Sequence, residues 1–364
     1  MPEPVRFAVV GHGWRADFYH RLAERLPDRF TCTGVLTRRV EVGERLERER
    51  GVRTTRDLDD LLADRPQVVV TSVPVAANPD VVRGLVERGA TVLSETPPAP
   101  DLDGLRALWH DVGPTGRVQV AEQHPSLPVV AALRSLVDRG LLGRVTSAQV
   151  SWTHDYHAMA LLRTVLGLGA EPVEVRAVHV DGPLLEPPGR EGRPVDPQVL
   201  DARHTTAVLT GGGRTGLYDF TDGQWFSPLR RRSLTVRGSH GEVVGDDVRW
   251  ARPDGTVLAA PLVRRQTGVD GDLEGADLDA VVWAGEVLFA TPYRGARLSD
   301  EELAIGLCLE ATARWQAGDG PAPYPLADAC QDALLGHLVH RAAERGSVER
   351  SSQEPWATAV RGAG

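Results

Sequence analysis

Val5-Arg6-Phe7-Ala8-Val9-Val10-Gly11-His12-Gly13-Trp14-Arg15-Ala16 is a strand-like apolar run that ends in a glycine turn, and a helical pattern through Phe18, Leu22 and Leu26 follows it. In a G-x-G-x-x-A turn between strand and helix, Gly11 permits the tight bend, Gly13 lets a pyrophosphate approach the backbone, and Ala16 lets the helix pack closely on the strand. The helix N-terminus adds amide donors and a partial positive charge, which together favour a bound anion. His12, Trp14 and Arg15 share the turn, and with Gly11 and Gly13 they are candidate cofactor-binding residues. The bland alternative is a glycine turn with no ligand. The position of the turn, as the first strand-to-helix connection of an alternating chain, weighs against it.

That alternation continues outward. Strands are expected at Phe30–Thr37, Gln67–Val73, Ala90–Leu93 and Val118–Ala121, and helices at Val40–Arg50, around Leu58–Ala63, at Pro79–Arg88 and at Leu102–Val112. Strands and helices in turn with short connections predict a doubly wound parallel sheet covered on both faces, a Rossmann-like α/β domain over residues 1–123. Past Gln123 the rhythm changes. A helix at Leu127–Arg139 precedes strand-like segments at 145–152, 173–180, 205–210, 215–220, 233–237, 242–248 and 256–260. Helical patterns return near 280–290, at 301–316 and at 327–345, and Ser299 with Glu302 forms a capping box for the second of these. Clustered strands with helices at the ends predict an α+β domain with an open, mainly antiparallel sheet over 124–346, followed by a tail at 347–364. Pro183–Pro197 and Arg264–Asp277 read as surface loops.

The end of the second strand bears on which dinucleotide binds. An NAD-selective fold places Asp or Glu there for the ribose 2′-hydroxyl, whereas this chain has Val35-Leu36-Thr37-Arg38-Arg39. Thr37, Arg38 and Arg39 offer a hydroxyl and two guanidinium groups, which suit a 2′-phosphate. The expectation is NADP, with NAD as the alternative; a solvated arginine pair opening the next helix is the competing explanation.

All 41 basic side chains are arginine and none is lysine. Schiff-base chemistry, a P-loop lysine and a lysine proton donor are thereby excluded. The formal charge of −9 gives no general attraction to nucleic acid or anionic lipid. Cys32, Cys308 and Cys330 are too few and too scattered for a disulfide framework or a zinc ribbon. With no signal-peptide pattern and no apolar stretch of membrane-spanning length, the expectation is a cytoplasmic protein without membrane or nucleic-acid partners.

The Gly11–Ala16 turn, Val68-Val69-Val70-Thr71-Ser72-Val73-Pro74 and Arg88-Gly89-Ala90-Thr91-Val92-Leu93-Ser94-Glu95-Thr96-Pro97 together resemble the glucose–fructose oxidoreductase/inositol dehydrogenase (Gfo/Idh/MocA) family. Leu141–Val145, Leu234–Gly241 and Leu326–Ala329 extend the resemblance over roughly residues 5 to 345. It implies a Rossmann domain, an α/β domain with an open antiparallel sheet, and a nicotinamide cofactor between them. By the same resemblance, Ser72, Val73 and Pro74 match the loop beside the cofactor, and Glu95, Thr96 and Pro97 match an E-K-P motif beside the nicotinamide. The family's lysine is Thr96 here, a hydroxyl that cannot act as a general acid near neutral pH. Gln123 and His124 match positions that contact the nicotinamide ribose and the substrate.

The family's D-x-x-x-H motif aligns best on His157, with Thr153 where the aspartate belongs and the strand running directly into the helix. His154 and His157 then share one helix face, beside Asp155 and Tyr156. Hydride transfer needs a proton partner, and histidine suits that role. The candidate catalytic order is His157, then His154, with Tyr156 and Asp155 as orienting or alternative groups; helix capping or a polar wall is the bland alternative. Tyr218 is a candidate substrate contact, Asp219 stands beside it, and Trp225 and Phe226 suit a dimer surface or core equally. An H-x-x-H pair without a third ligand does not predict a metal.

Three functions follow as expectations. The first is an NADP-dependent oxidoreductase acting on a small polar, sugar-like alcohol or ketone. The second is a C=N reductase resembling thiazolinyl imine reductases. The third is a non-catalytic dinucleotide-binding protein. A homodimer or homotetramer is expected, because the predicted helices cover only one face of the second sheet.

Overall fold

A computed structural model describes residues 3–268, 275 and 277–360. The N-terminal third of the chain alternates as its pattern predicts: β1 (Val5–Val10), α1 (Trp14–Arg25), β2 (Phe30–Leu36), α2 (Val40–Arg50), β3 (Thr54–Thr55), α3 (Leu58–Ala63), β4 (Val68–Thr71), α4 (Asn78–Glu87), β5 (Val92–Ser94), α5 (Leu102–Val112) and β6 (Val118–Val120). The strands form a six-stranded parallel sheet in the order β3-β2-β1-β4-β5-β6. The order reverses between β1 and β4, which creates the crevice where doubly wound sheets bind ligands. Phe7, Ala8, Val9, Val68, Val70, Val92 and Leu93 are almost wholly excluded from solvent. Burial on both faces explains why these strands read as continuous apolar runs rather than alternating ones.

Beyond α6 (Pro128–Asp138) come β7 (Val145–Ser151), α7 (Asp155–Leu166), β8 (Val173–Leu185), β9 (Val199–Gly211), β10 (Arg214–Thr221), β11 (Ser233–Gly238), β12 (Gly241–Val244), β13 (Asp247–Ala251), β14 (Val257–Thr267), β15 (Asp277–Trp283) and β16 (Glu286–Ala290). The chain closes with α8 (Asp300–Gln316), α9 (Leu326–Arg345) and β17 (Glu349–Arg350). Among the described residues the second sheet runs β16-β15-β14-β13-β12-β11-β7-β10-β9-β8-β17. β7 and β10 pair in parallel; β8 with β9, β9 with β10, and β11 through β14 pair antiparallel.

Several local expectations are corrected, among them the loop from Pro183, whose residues Pro183–Leu185 belong to β8. The segment 280–290 is a hairpin and not a helix: β15 and β16 are neighbours across Ala284 (φ 47°) and Gly285 (φ 89°). Two consecutive positive φ values are the signature of a two-residue hairpin turn, and Val281, Val282, Trp283, Val287 and Phe289 are strand formers. The helical reading counted apolar content and missed the turn. The segment 242–248 is two strands folded at Gly245, where φ is 61°. Arg264–Thr267 belongs to β14, while 269–274 and 276 of that expected loop lie outside the described residues. The expected tail contributes β17, paired to β8, and Trp356, which is fully buried and donates to Gln331 Oε1 at 3.0 Å.

Two compact units emerge, and neither is continuous in sequence. The first comprises residues 1–128, 265–280 and 290–330, and the second 129–264, 281–289 and 331–364. Within the first, α8 returns against the parallel-sheet layer: Arg21 pairs with Glu302 at 2.6 Å and Arg29 with Glu310 at 2.6 Å. The Ser299–Glu302 capping box is present in both of its hydrogen bonds.

Candidate functional site

In the first unit, Gly11 follows β1 with φ 111°, and a Cβ there would strike the backbone carbonyl of Ser72. Only glycine fits, because the conformation is left-handed and the Ser72 strand end lies against it. Gly13 is the N-cap of α1 with extended backbone, no side-chain cap, and open space where its Cβ would stand. The first amides of α1 have no side-chain cap, and a helix start of this kind offers its amides to an anion. Ala16 is buried, as close helix–strand packing requires. These residues fit a dinucleotide pyrophosphate.

At the end of β2, Thr37 is buried and its hydroxyl donates to the carbonyl of Arg39 at 3.1 Å, so this group is turned into the chain. Arg38 and Arg39 are exposed, and neither meets a carboxylate among the described residues. Arg39 Nη2 lies 3.2 Å from His12 Nε2. Partial burial, followed by the charges of Arg39, Arg45 and Arg38, pushes the His12 imidazole toward its neutral form. Three guanidinium groups therefore act on one residue of the glycine turn.

Beyond β5, Glu95 belongs to a linked set that sequence spacing does not reveal. Tyr19 donates to Glu95 Oε1 at 3.0 Å, Arg15 Nε stands 3.5 Å from Glu95 Oε2, and Arg15 Nη1 bonds Glu301 Oε1 at 2.7 Å. Gln123 Nε2 donates to the same Glu301 oxygen at 3.2 Å. Burial pushes the Glu95 carboxyl up, while Arg15 and Tyr19 pull it back toward the charged form. One guanidinium thus bridges two carboxylates, and Arg15 is committed to holding Glu95. Asn78, the only asparagine in the chain, is a second organiser. Its amide accepts from Thr71 Oγ1 at 2.6 Å and donates to Ser94 Oγ at 2.8 Å and Pro98 O at 2.9 Å. It ties β4 and β5 to the Thr96–Pro97–Pro98 loop, where Thr96 and Pro97 are half-buried. Ser72 is buried, Val73 half-buried and Pro74 exposed. His124 is buried, with its Nδ1 2.8 Å from Glu122 Oε1.

In the second unit, β7 ends at Ser151 and α7 begins at Asp155, so the strand does run almost directly into the helix. His154 is the N-cap, and the rings gather behind it. His154 and His157 centroids are 5.3 Å apart and perpendicular, Tyr156 and His157 are 4.4 Å apart, and His154 and Phe220 are 5.9 Å apart. His157 is buried at 5% exposure, and Thr153, in the aspartate position of the motif, is also buried. The Asp155 amide donates to Tyr218 Oη at 3.2 Å, which puts Tyr218 beneath the start of α7, and burial pushes the Tyr218 phenol up. Asp155 Oδ1 lies 2.7 Å from His340 Nε2, a partner supplied by α9 that sequence reasoning missed. Asp219 pairs with His204 at 3.0 Å, Arg232 lies over the Trp225 ring, and Phe226 is 39% exposed.

Residues 5–123 match the model of the Gfo/Idh/MocA oxidoreductase family, NAD-binding Rossmann fold. That match covers the first domain, which is similar to the family's nucleotide-binding domain. No curated protein matches the chain by sequence. Solved structures match it over nearly its whole length. An oxidoreductase from Agrobacterium radiobacter in complex with NAD+, L-tartaric acid and magnesium superposes with a TM-score of 0.69 at 14% identity, covering 95% of this chain and 98% of that one. Levoglucosan dehydrogenase in complex with NADH and levoglucosan gives 0.69 at 18%, covering 96% and 100%. A myo-inositol dehydrogenase from Corynebacterium glutamicum gives 0.64 at 17%, covering 96% and 99%. At these identities the likeness carries the fold alone, over both sheets. Among the described residues no helix is long and apolar enough to cross a membrane.

Proposed function

We propose that the protein is a cytoplasmic NAD(P)-dependent oxidoreductase, with NADP favoured, that moves hydride to or from a small polar, sugar-like alcohol or ketone. The observation that carries the reading is the imidazole and phenol cluster at the start of α7 in a chain whose first domain is an NAD-binding fold. The similar structures bound to levoglucosan and named for inositol support a polyhydroxylated substrate.

Gly11, Gly13 and the open amides of α1 bind the pyrophosphate. The arginines at the end of β2 receive the 2′-phosphate, beside His12, whose imidazole burial and these guanidinium groups push toward its neutral form. Glu95, held by Arg15 and Tyr19, and Gln123 border the nicotinamide side of that domain, with Ser72, Val73, Pro74, Thr96 and Pro97. A bound nicotinamide supplies or accepts hydride at its ring C4. In alcohol oxidation, His157 takes the hydroxyl proton on an imidazole nitrogen as the C–H hydride leaves, and in ketone reduction it returns that proton to the carbonyl oxygen. His154 and Tyr156 orient the imidazole or relay its proton, and Thr96 offers a hydrogen bond without charge. Val178, Val180 and Leu200, exposed on one face of the β8–β9 hairpin, support a homodimer or a larger homo-oligomer in which a second copy covers that face.

Absorbance assays with NADPH and NADH over a panel of sugar alcohols, ketoses and cyclic imines test the reading. Expected are turnover on a polyol or ketose, a preference for NADPH, and a loss of about 10²- to 10⁴-fold in His157→Ala. Turnover confined to imines would replace the carbonyl reading with the C=N one. Tight cofactor binding with no turnover on any substrate would sink both.

A further inference from the structure

Helix α9 carries a stripe of three residues, Asp332, Gly336 and His340, spaced four apart and hence on one face. All three address α7. Asp332 pairs with Arg163 at 2.6 Å, and both side chains are buried. Gly336 lies so close to the start of α7 that a Cβ would stand 3.3 Å from the Tyr156 amide nitrogen. His340 Nε2 meets Asp155 Oδ1 at 2.7 Å. Asp155 is itself unusual: its φ is 44°, a left-handed conformation in a residue that bears a side chain, at the first position of a helix. Such a conformation costs free energy and persists where its surroundings over-determine it. Here those surroundings are the Tyr218 hydroxyl on the Asp155 amide and the His340 imidazole on its carboxylate.

We propose that His340 is a positioning residue, which holds Asp155 in its left-handed conformation and thereby sets where His154, Tyr156 and His157 project, with a grip that depends on pH. The proposal rests on the reading of α7 as the source of the proton partner. It gives Asp155 a structural duty, because its carboxylate is engaged with α9.

The sign follows from the two partners. The hydrogen bond to Asp155 raises the His340 pKa, with help from Glu344 on α9 and Asp222 after β10, although burial opposes it. Burial alone would raise Asp155, but His340, His154 and His157 outweigh it and leave its pKa lowered. The His179 ring on β8, 5.6 Å from His340, is pushed toward neutral by burial and by His340. The ion pair is therefore complete between the two shifted values. It weakens as pH rises through the raised His340 pKa, and again as pH falls through the lowered Asp155 pKa. Above the His340 pKa a neutral imidazole can still donate from Nε2, so the alkaline loss is partial.

Histidine-ring NMR titration of the full chain tests this without a known substrate. Expected in the wild type are a His340 titration above the ordinary histidine value and a second inflection in the His154 and His157 ring signals at that same pH. In Asp155→Asn, His340 should fall back toward the ordinary value. In His340→Gln the His154 and His157 signals should move, and turnover should drop about tenfold through kcat, with the Kd for NADPH unchanged. Unmoved His154 and His157 signals in a folded His340→Gln variant would overturn the proposal. If that variant does not fold, absence of the second inflection in the wild type would overturn it equally. A protein with no turnover but with the coupled titration would refute the oxidoreductase reading and leave the positioning role intact.

Discussion

Helices α1 and α7 both start without a side-chain cap among the described residues, yet they are built for different tasks. At α1 the chain thins to Gly11 and Gly13, and the N-cap Gly13 has open space where a side chain would stand. At α7 the N-cap is His154, the first residue is a strained Asp155, and imidazole and phenol rings crowd the entrance. The first start binds through the main chain and needs side chains to be absent. The second acts through side chains and needs them to be held. Helix α8 provides the ordinary case: Ser299 and Glu302 cap it reciprocally, and that start is finished without a ligand.

The difference is testable by substitution. Gly11→Ala should have the largest effect on cofactor binding, because the added methyl meets the Ser72 carbonyl and the residue must keep a left-handed φ. Fluorescence titration with NADPH is expected to show a loss in affinity of more than about tenfold, equivalent to more than about 1.4 kcal/mol; unchanged affinity would mean that the α1 start does not bind the pyrophosphate. Asp332→Ala removes one charged partner of the buried Arg163 guanidinium and should cost about 1.5–3 kcal/mol in denaturant unfolding. A cost within about 0.5 kcal/mol, the range of ordinary surface substitutions, would show that α7 is anchored by other contacts. Removing the positive end of the 2′-phosphate site sharpens the account of α1: Arg38→Ala combined with Arg39→Ala should raise the KM for NADPH by about tenfold, the worth of one strong charge-assisted contact, and leave that for NADH nearly unchanged. The smallest effect belongs to the finished helix. Ser299→Ala should lower stability by about 1 kcal/mol, measured by the same unfolding curves.

Much of the first unit was legible because its signals are local. Apolar runs of strand length, glycine at the turn and short connections all concern neighbours in sequence, and β1 to β6 appear in the expected order. The capping box at Ser299 and the short step from β7 into α7 were legible for the same reason. The hairpin at 277–290 was misread because its apolar content suits either period; the positive φ at Ala284 and Gly285 decides it. The supports of the candidate site were not legible at all. Glu301 reaches Arg15 across 286 positions and His340 reaches Asp155 across 185, and no spacing rule connects such residues. Asn78 belongs to no motif, although its amide ties two strand ends to the loop of Thr96.

The sequence by itself determined the parallel sheet, the glycine turn, the absence of any lysine and the presence of Thr96 where the resembled family has one. These depend on residue identity and on local order, which the chain carries before it folds. Only the tertiary structure decided that Arg15 is bound between two carboxylates, that Tyr218 lies under α7, and that α9 grips the start of that helix through His340. Those outcomes depend on which distant segments pack together, and packing is set by the burial of whole faces, not by the residues that later meet there.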